Sequence, residues 1–211
     1  MARKTKDDTE KTVAAILGGA ERAFLGKGVG NTPLADIAKQ AGVSKGAVYG
    51  HYKGGKIEVC VAMCERAIGE VQEPIHPVKM ASNMESLLQW GLTHLGLCQN
   101  PSSLRNVMEI LYLKCEENPE YEPVISIRRR WDDHSYLAMR RLIRRAIKSG
   151  ELPANLEVEQ AIDFLMSIMT GIFSTLWWTD RLKDEQEKIK KLMLAGLDAV
   201  RDSKHLRATP A

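Results

Sequence analysis

The chain of 211 residues is long enough for one or two domains with a full hydrophobic core, and its 44% hydrophobic content is ordinary for a globular protein. The net charge of +3 is uneven: residues 1–60 carry ten Lys/Arg against six Asp/Glu, while the remainder is slightly acidic. A basic N-terminal piece on a near-neutral body fits a DNA reader with a separate second domain, and equally an ordinary solvated surface. There is no internal repeat and no low-complexity segment. The opening Met1-Ala2-Arg3-Lys4-Thr5-Lys6 is polar and lacks the apolar stretch of a secretory signal.

Arg3, Lys4 and Lys6 form a basic arm, either a phosphate or minor-groove contact or a disordered tail. A first helix is predicted over 8–27, with Val13, Ile16, Leu17, Ala20 and Phe24 as its apolar stripe and Gly26, Gly28 and Gly30 breaking it. Thr32 then reads as an N-cap and Pro33 as a first-turn residue. Leu34, Ile37, Ala38 and Ala41 share one face of a short helix, which Gly42 ends in a left-handed conformation. Ser44 caps a second short helix through Val48. Ala38 is small where the two would cross. This is the pattern of a helix-turn-helix, whose second helix enters the DNA major groove.

Gly54-Gly55 makes a joint, and a fourth helix follows from Lys56 to about Gln72, with Ile57, Val61, Cys64 and Ile68 on one face and Pro74 and Pro77 closing it. Further helices are predicted at about 82–98, 102–115, 121–148, 156–178 and 183–201, punctuated by Asn100-Pro101, Asn118-Pro119, Gly150-Glu151-Leu152-Pro153 and Asp180. The fold class is therefore all-α. A three-helix DNA-binding domain spans 1–55, and an all-helical domain spans 56–211. Residues 161–178 are the one long apolar run. Asp163, Ser167, Thr170, Gly171, Ser174 and Thr175 interrupt it, which favours a buried core or interface helix over a membrane span. A cytoplasmic protein with no membrane partner is expected.

The recognition helix offers Ser44, Lys45, Gly46, Tyr49 and His51. Lys45 can reach guanine O6 and N7, Gly46 lets the backbone sit close to DNA, and Tyr49 can meet a phosphate or a thymine methyl. No catalytic constellation appears. His76, His94, His134 and His205 are scattered, and no nucleophile elbow, phosphate loop or dinucleotide fingerprint is present. No enzyme activity, cofactor or metal is expected. Cys60 and Cys64 can share a helix face. A redox or metal switch is conceivable there, but buried, reduced small hydrophobes are the simpler reading, as for Cys98 and Cys115.

The run Thr-Pro-Leu-Ala-Asp-Ile-Ala-Lys-Gln-Ala-Gly-Val-Ser-Lys-Gly-Ala-Val-Tyr-Gly-His-Tyr-Lys, from Thr32 to Lys53, resembles the DNA-binding domain of the TetR family of bacterial repressors. The opening Met-Ala-Arg-Lys-Thr-Lys and the later Leu113-Lys114-Cys115-Glu116 are similar to the AcrR-type branch, which controls multidrug efflux pumps. The resemblance assigns Tyr49, His51 and Tyr52 to the backbone-contacting end of the recognition helix, with Thr32 and Lys56 clamping phosphates. Core packing under the recognition helix is the other reading for Tyr52. Two features depart from the branch. Gly50 stands where an aromatic is usual, and Lys53-Gly54-Gly55-Lys56 is one residue longer than the usual pattern. Both loosen the end of the recognition helix and bear on the operator sequence and on the role of Lys56.

The body supplies apolar and aromatic residues at helical spacing: Trp90 and His94; Met108, Leu111, Tyr112 and Cys115; Trp131, Met166, Met169, Thr170 and Phe173. Spacing alone reads as core. The resemblance implies a drug-binding cavity, with ligand contacts from Trp90, His94, Met108, Leu111, Tyr112, Trp131, Met166, Met169, Thr170 and Phe173. Ile189, Leu192, Met193, Gly196 and Val200 form a stripe, and in the family the last two helices pair across a two-fold axis, where Ala195 and Gly196 would permit close approach. The implied protein is a homodimeric repressor that binds near-palindromic double-stranded operator DNA and is released by a hydrophobic small-molecule inducer. A non-induced architectural or cell-division factor on the same fold is the alternative, and an enzyme keeping a vestigial helix-turn-helix is a second.

Overall fold

A computed structural model of the chain describes residues 6–70, 80–99, 102–182 and 184–208. Its helices are α1 (Lys6–Lys27), α2 (Leu34–Ala41), α3 (Lys45–His51), α4 (Gly55–Gly69), α5 (Asn83–Gln99), α6 (Ser103–Leu113), α7 (Glu122–Lys148), α8 (Val158–Trp178) and α9 (Gln186–Asp202), with short 3-10 turns at Pro119–Tyr121, Asp180–Leu182 and Lys204–Leu206. The described residues contain no strand, only an isolated bridge between Leu156 and Arg207. The fold is all-α. The expected Arg3, Lys4, Pro74, His76 and Pro77, and the side chain of Cys98, lie outside what is described.

The chain divides into two compact units. The first comprises Met1–Val71 and Pro101–Trp131, and so holds α1 to α4, α6 and the start of α7. Ile16, Leu17, Ala20 and Phe24 of α1 bury against Ile37, Ala38, Val48, Val59 and Met63. The closest approach is at Gly19, where a Cβ would stand 2.7 Å from the Ala41 amide nitrogen. The inner face of α4 is Val59, Cys60, Met63, Cys64 and Ala67, while Ile57, Val61 and Ile68 are only partly buried. The buried face is thus rotated from the expected one. Apolar residues run nearly all round this helix, so periodicity could not single out a side.

Cys60, Cys64 and Cys115 are buried free thiols. A hydrogen bond with Cys64, together with burial, raises the Cys60 thiol, and burial pushes Cys115 up to about 11. Cys60 and Cys115 are therefore protonated at neutral pH, the unreactive form.

The second unit comprises Gln72–Asn100 and Asp132–Ala211, and holds α5, the rest of α7, α8 and α9. Its core includes Trp90, Leu95, Met139, Leu142, Ile143, Ile162, Leu165, Met169, Met193 and Leu197. Two glycines set the helix separations: a Cβ on Gly91 would meet Met193 Cε at 2.6 Å, and one on Gly196 would meet Ile168 Cδ1 at 2.7 Å. α8 is the one described helix long and apolar enough to cross a membrane, and only 28% of its apolar window is buried within the protomer.

The start of α5 is capped from far along the chain. Glu151, in the turn after α7, accepts from the Met84 amide at 2.9 Å and from the Asn83 amide and side chain at 3.1 and 2.7 Å. A carboxylate on helix N-terminal amides satisfies orphan donors and meets the positive end of the dipole. The Met84 amide and the Ser149 hydroxyl, with Asn83, hold this carboxyl down to about 2. Because the folded value is depressed, the stabilisation is complete above the ordinary glutamate range and is lost as pH falls towards about 2. Glu151→Gln turns one oxygen into a donor facing donors. We expect it to lower Tm at neutral pH by about 2–4 °C and to flatten the acid loss of stability, as read by thermal melts across pH.

Candidate nucleic-acid interface

The interface is built on α3. Gly42 adopts φ 67°, and the Val43 amide returns to the Ala38 carbonyl at 3.0 Å, which ends α2 sharply and sets the direction of the chain into α3. The Ser44 side chain accepts from the Ala47 amide at 3.1 Å, as an N-cap should. Val48 is fully buried and anchors the inner side. On the outer side Ser44, Lys45, Gly46, Tyr49 and Gly50 are exposed. Tyr49 is 46% exposed despite its size, and Lys45 Nζ lies 5.8 Å from its ring centre. A cation held over an aromatic ring loses part of its conformational freedom before any ligand arrives. α3 continues through Gly50, and the Tyr52 amide closes it onto the Val48 carbonyl at 2.8 Å.

The remaining expected contacts divide. His51 is half-buried, its ring centre 6.5 Å from that of Tyr52. Tyr52 itself belongs to the core, and burial raises its phenol above the ordinary value. Thr32 does not cap α2; Pro33 holds that position, with no side-chain cap bond. Thr32 is instead fully buried, its hydroxyl donating to the Gly28 carbonyl at 2.7 Å and lying 3.3 Å from that of Ala23. Lys56 donates to the Val29 and Gly30 carbonyls at 3.1 and 3.0 Å and lies 5.4 Å from the centre of the Tyr121 ring. Both side chains therefore tie the α1–α2 loop together rather than reach outward. Sequence reasoning passed over two exposed cations, Lys39 near the end of α2 and Lys53 in the turn after α3. Their signal was only that each is a lysine flanking a short helix.

The residues expected to hold a ligand fall in both units. In the first, Met108 and Leu111 are buried, Trp131 is half-buried, and Tyr112 is exposed with the Arg128 guanidinium 6.0 Å from its ring centre. An open hollow of about 400 Å³ in this unit is lined by Glu117, Asn118, Pro119, Glu122 and Ile125, none of them an expected ligand contact. In the second unit, Trp90, His94 and Met169 are buried, Met166 and Phe173 are half-buried, and Thr170 is exposed. The Trp90 and His94 rings lie 4.0 Å apart, and Phe173 stacks on Trp177 at 5.4 Å.

Of the α9 stripe, Ile189, Met193, Gly196 and Val200 turn into the protomer core, and Gly196 spends its small size on Ile168 of the same chain. Leu192 faces out, 41% exposed, with Lys188 and Ala195 exposed one turn to either side. α9 thus carries Leu192 on a side turned away from the core, and the sequence stripe mixed the two sides.

Residues 83–195 match the profile of the C-terminal region of the MAATS-type transcriptional repressors, and residues 16–61 match that of the tetR family of bacterial regulatory proteins. The HTH-type transcriptional regulator TtgR of Pseudomonas putida is 30% identical over 98% of this chain and 100% of its own. The crystal structure of MexZ, described as a key repressor responsible for antibiotic resistance in Pseudomonas aeruginosa, is 46% identical, with a TM-score of 0.85 over 95% of this chain and 100% of that one. A complex of SmeT with triclosan is 25% identical, with a TM-score of 0.71 over 95% and 97%.

Proposed function

Since this chain belongs to the TetR family of bacterial transcriptional regulators, we propose that it is a cytoplasmic homodimeric repressor of a multidrug efflux pump, released from its operator by a hydrophobic small molecule. The observation that carries this is the outward face of α3, where Ser44, Lys45, Gly46 and Tyr49 stand exposed on a helix whose other side is locked into the core. Its likeness to MexZ over nearly its whole length, and to SmeT in complex with triclosan, supports the efflux and ligand parts of the reading.

Lys45 and Tyr49 read the major groove, and Lys39 and Lys53 add phosphate contacts. A two-fold dimer presents two such helices to grooves about 34–36 Å apart, or a multiple of that. The outer sides of α8 and α9 supply the dimer contact. Ser167, Gly171, Ser174 and Leu192 lie on those sides, and small residues let helices approach closely. Leu192→Asp places a charge in that contact, and we expect it to raise the dimer dissociation constant at least tenfold by sedimentation.

Induction requires that a ligand favour a state in which α3 and its twin no longer match successive grooves. The first unit offers a route. The Val29 amide donates to the Lys114 carbonyl at 2.8 Å, so the loop entering the helix-turn-helix is bonded to the end of α6. A ligand that shifts α6 shifts that loop and α4 with it. The experiment is an operator-release titration with DNA from upstream of the protein's own gene. Release by lipophilic drugs supports the reading, and binding that no drug relieves favours a non-induced factor.

A further inference from the structure

Among the described residues, the second unit contains two buried indole N–H groups with no acceptor. Trp90 is 3% exposed, and its Nε1 has no hydrogen-bond partner; the Nε1 of Trp177, on α8, is also buried without one. A buried donor left unpaired is costly, and in a native protein it asks for an explanation. Several features mark the Trp90 donor as a recognition group rather than a packing accident. The His94 ring, 4.0 Å away, fixes the plane of the indole, and His94 Nδ1 is itself held at 2.9 Å from the Trp90 carbonyl. Met169, Met193 and Gly91 give the surroundings an apolar, deformable character, with Met193 Cε within 2.6 Å of a Gly91 Cβ position. Among the described residues no Asp or Glu is buried in this core, and burial holds the His94 imidazole below its ordinary value, in the neutral form. A buried cation would find no counter-charge here, whereas an oxygen acceptor would find a donor.

We propose that the second unit binds a lipophilic molecule carrying an oxygen acceptor (a phenol or phenolate, a carboxylate, or a conjugated carbonyl) and that the Trp90 indole N–H donates to that oxygen. This rests on the inducer reading above and narrows it to a chemical class. Phe173 and Trp177, stacked on α8, provide aromatic area for the apolar part of such a ligand.

The test uses matched pairs on the full-length protein: triclosan against the trichlorinated diphenyl ether lacking its hydroxyl, and naphthoate against naphthalene, both by calorimetry. In the wild type the acceptor-bearing member of each pair binds about fivefold to tenfold tighter. In Trp90→Phe, which keeps an aromatic ring and removes the N–H, that preference disappears. The ratio within one variant is unaffected by any general loss of stability. Wild-type protein with nitrogen-labelled tryptophan gives the same reading without substitution: the Trp90 indole proton moves downfield with triclosan and not with its partner. An equal loss of both members in Trp90→Phe, or an unmoved indole proton, overturns the acceptor assignment and leaves the inducer reading intact. A lipophilic cation that binds tighter than either acceptor overturns the class. No binding by any of these compounds overturns the inducer reading and the assignment with it.

Discussion

Gly19→Val is expected to cost about 3 kcal/mol of stability and to abolish operator binding, while Gly18→Ala, one residue earlier, is expected to gain about 0.5–1 kcal/mol. The contrast comes from what each added carbon meets. At Gly18 the nearest group is the far end of the Arg22 side chain at 3.5 Å, so the substitution gains helix propensity at little steric cost. At Gly19 the obstruction is the Ala41 amide nitrogen, Cβ and Cα, at 2.7, 2.8 and 2.9 Å. Backbone cannot swing aside as a side chain can. Relief has to come from moving the end of α2, and α2 and α3 are joined by the turn that Gly42 and Val43 close. Stability and recognition should therefore fail together at Gly19. Thermal melts and gel shifts of the two variants check this; a Gly19→Val protein that melts like the wild type would mean α1 and α2 are not held at this distance.

Lys45→Ala is expected to weaken operator binding by about 1–3 kcal/mol without altering the melting curve. The side chain is exposed on α3, with its ammonium 5.8 Å from the centre of the Tyr49 ring. Affinity should also fall steeply between low and moderate salt, since each phosphate-neutralising cation releases counterions. If Lys45 reads a base, the loss should be larger for the operator than for random DNA. If it meets only phosphate, the loss should be uniform and the salt slope should drop by about one. A gel-shift titration in which Lys45→Ala binds like wild type would remove this residue from the interface.

The helix-turn-helix was legible because its signals are local. Pro33, Gly42 and Ser44 lie within a dozen residues, and each acts on its neighbours' backbone, so a left-handed turn at Gly42 and a Ser44 cap could be read directly. Less legible were the partners of polar residues that have more than one to choose from. Thr32 and Lys56 have the right chemistry for phosphate. The carbonyls of Ala23, Gly28, Val29 and Gly30 nevertheless lie within their reach in space, and sequence cannot show that. Glu151 illustrates the same limit from the other side: its partners, Asn83 and Met84, are more than sixty residues away, so the cap on α5 left no trace in the pattern. In α9 the difficulty was one of excess. Ile189, Met193 and Val200 serve the protomer core, and Leu192 faces away from it. Apolar residues that fall outside the core face widen a stripe, and the pattern does not say which of them meets which partner.

The most direct test of induced release follows operator DNA and ligand in one titration. Trp90, Trp131, Trp177 and Trp178 all lie outside the helix-turn-helix, so their fluorescence reports on the rest of the chain, while anisotropy of labelled DNA reports on α3. A lipophilic drug is predicted to quench the tryptophans and free the DNA over the same concentration range, with the midpoint moving to higher drug as operator is added, because linkage is reciprocal. Quenching with no release of DNA, at drug concentrations that saturate the protein, would contradict it.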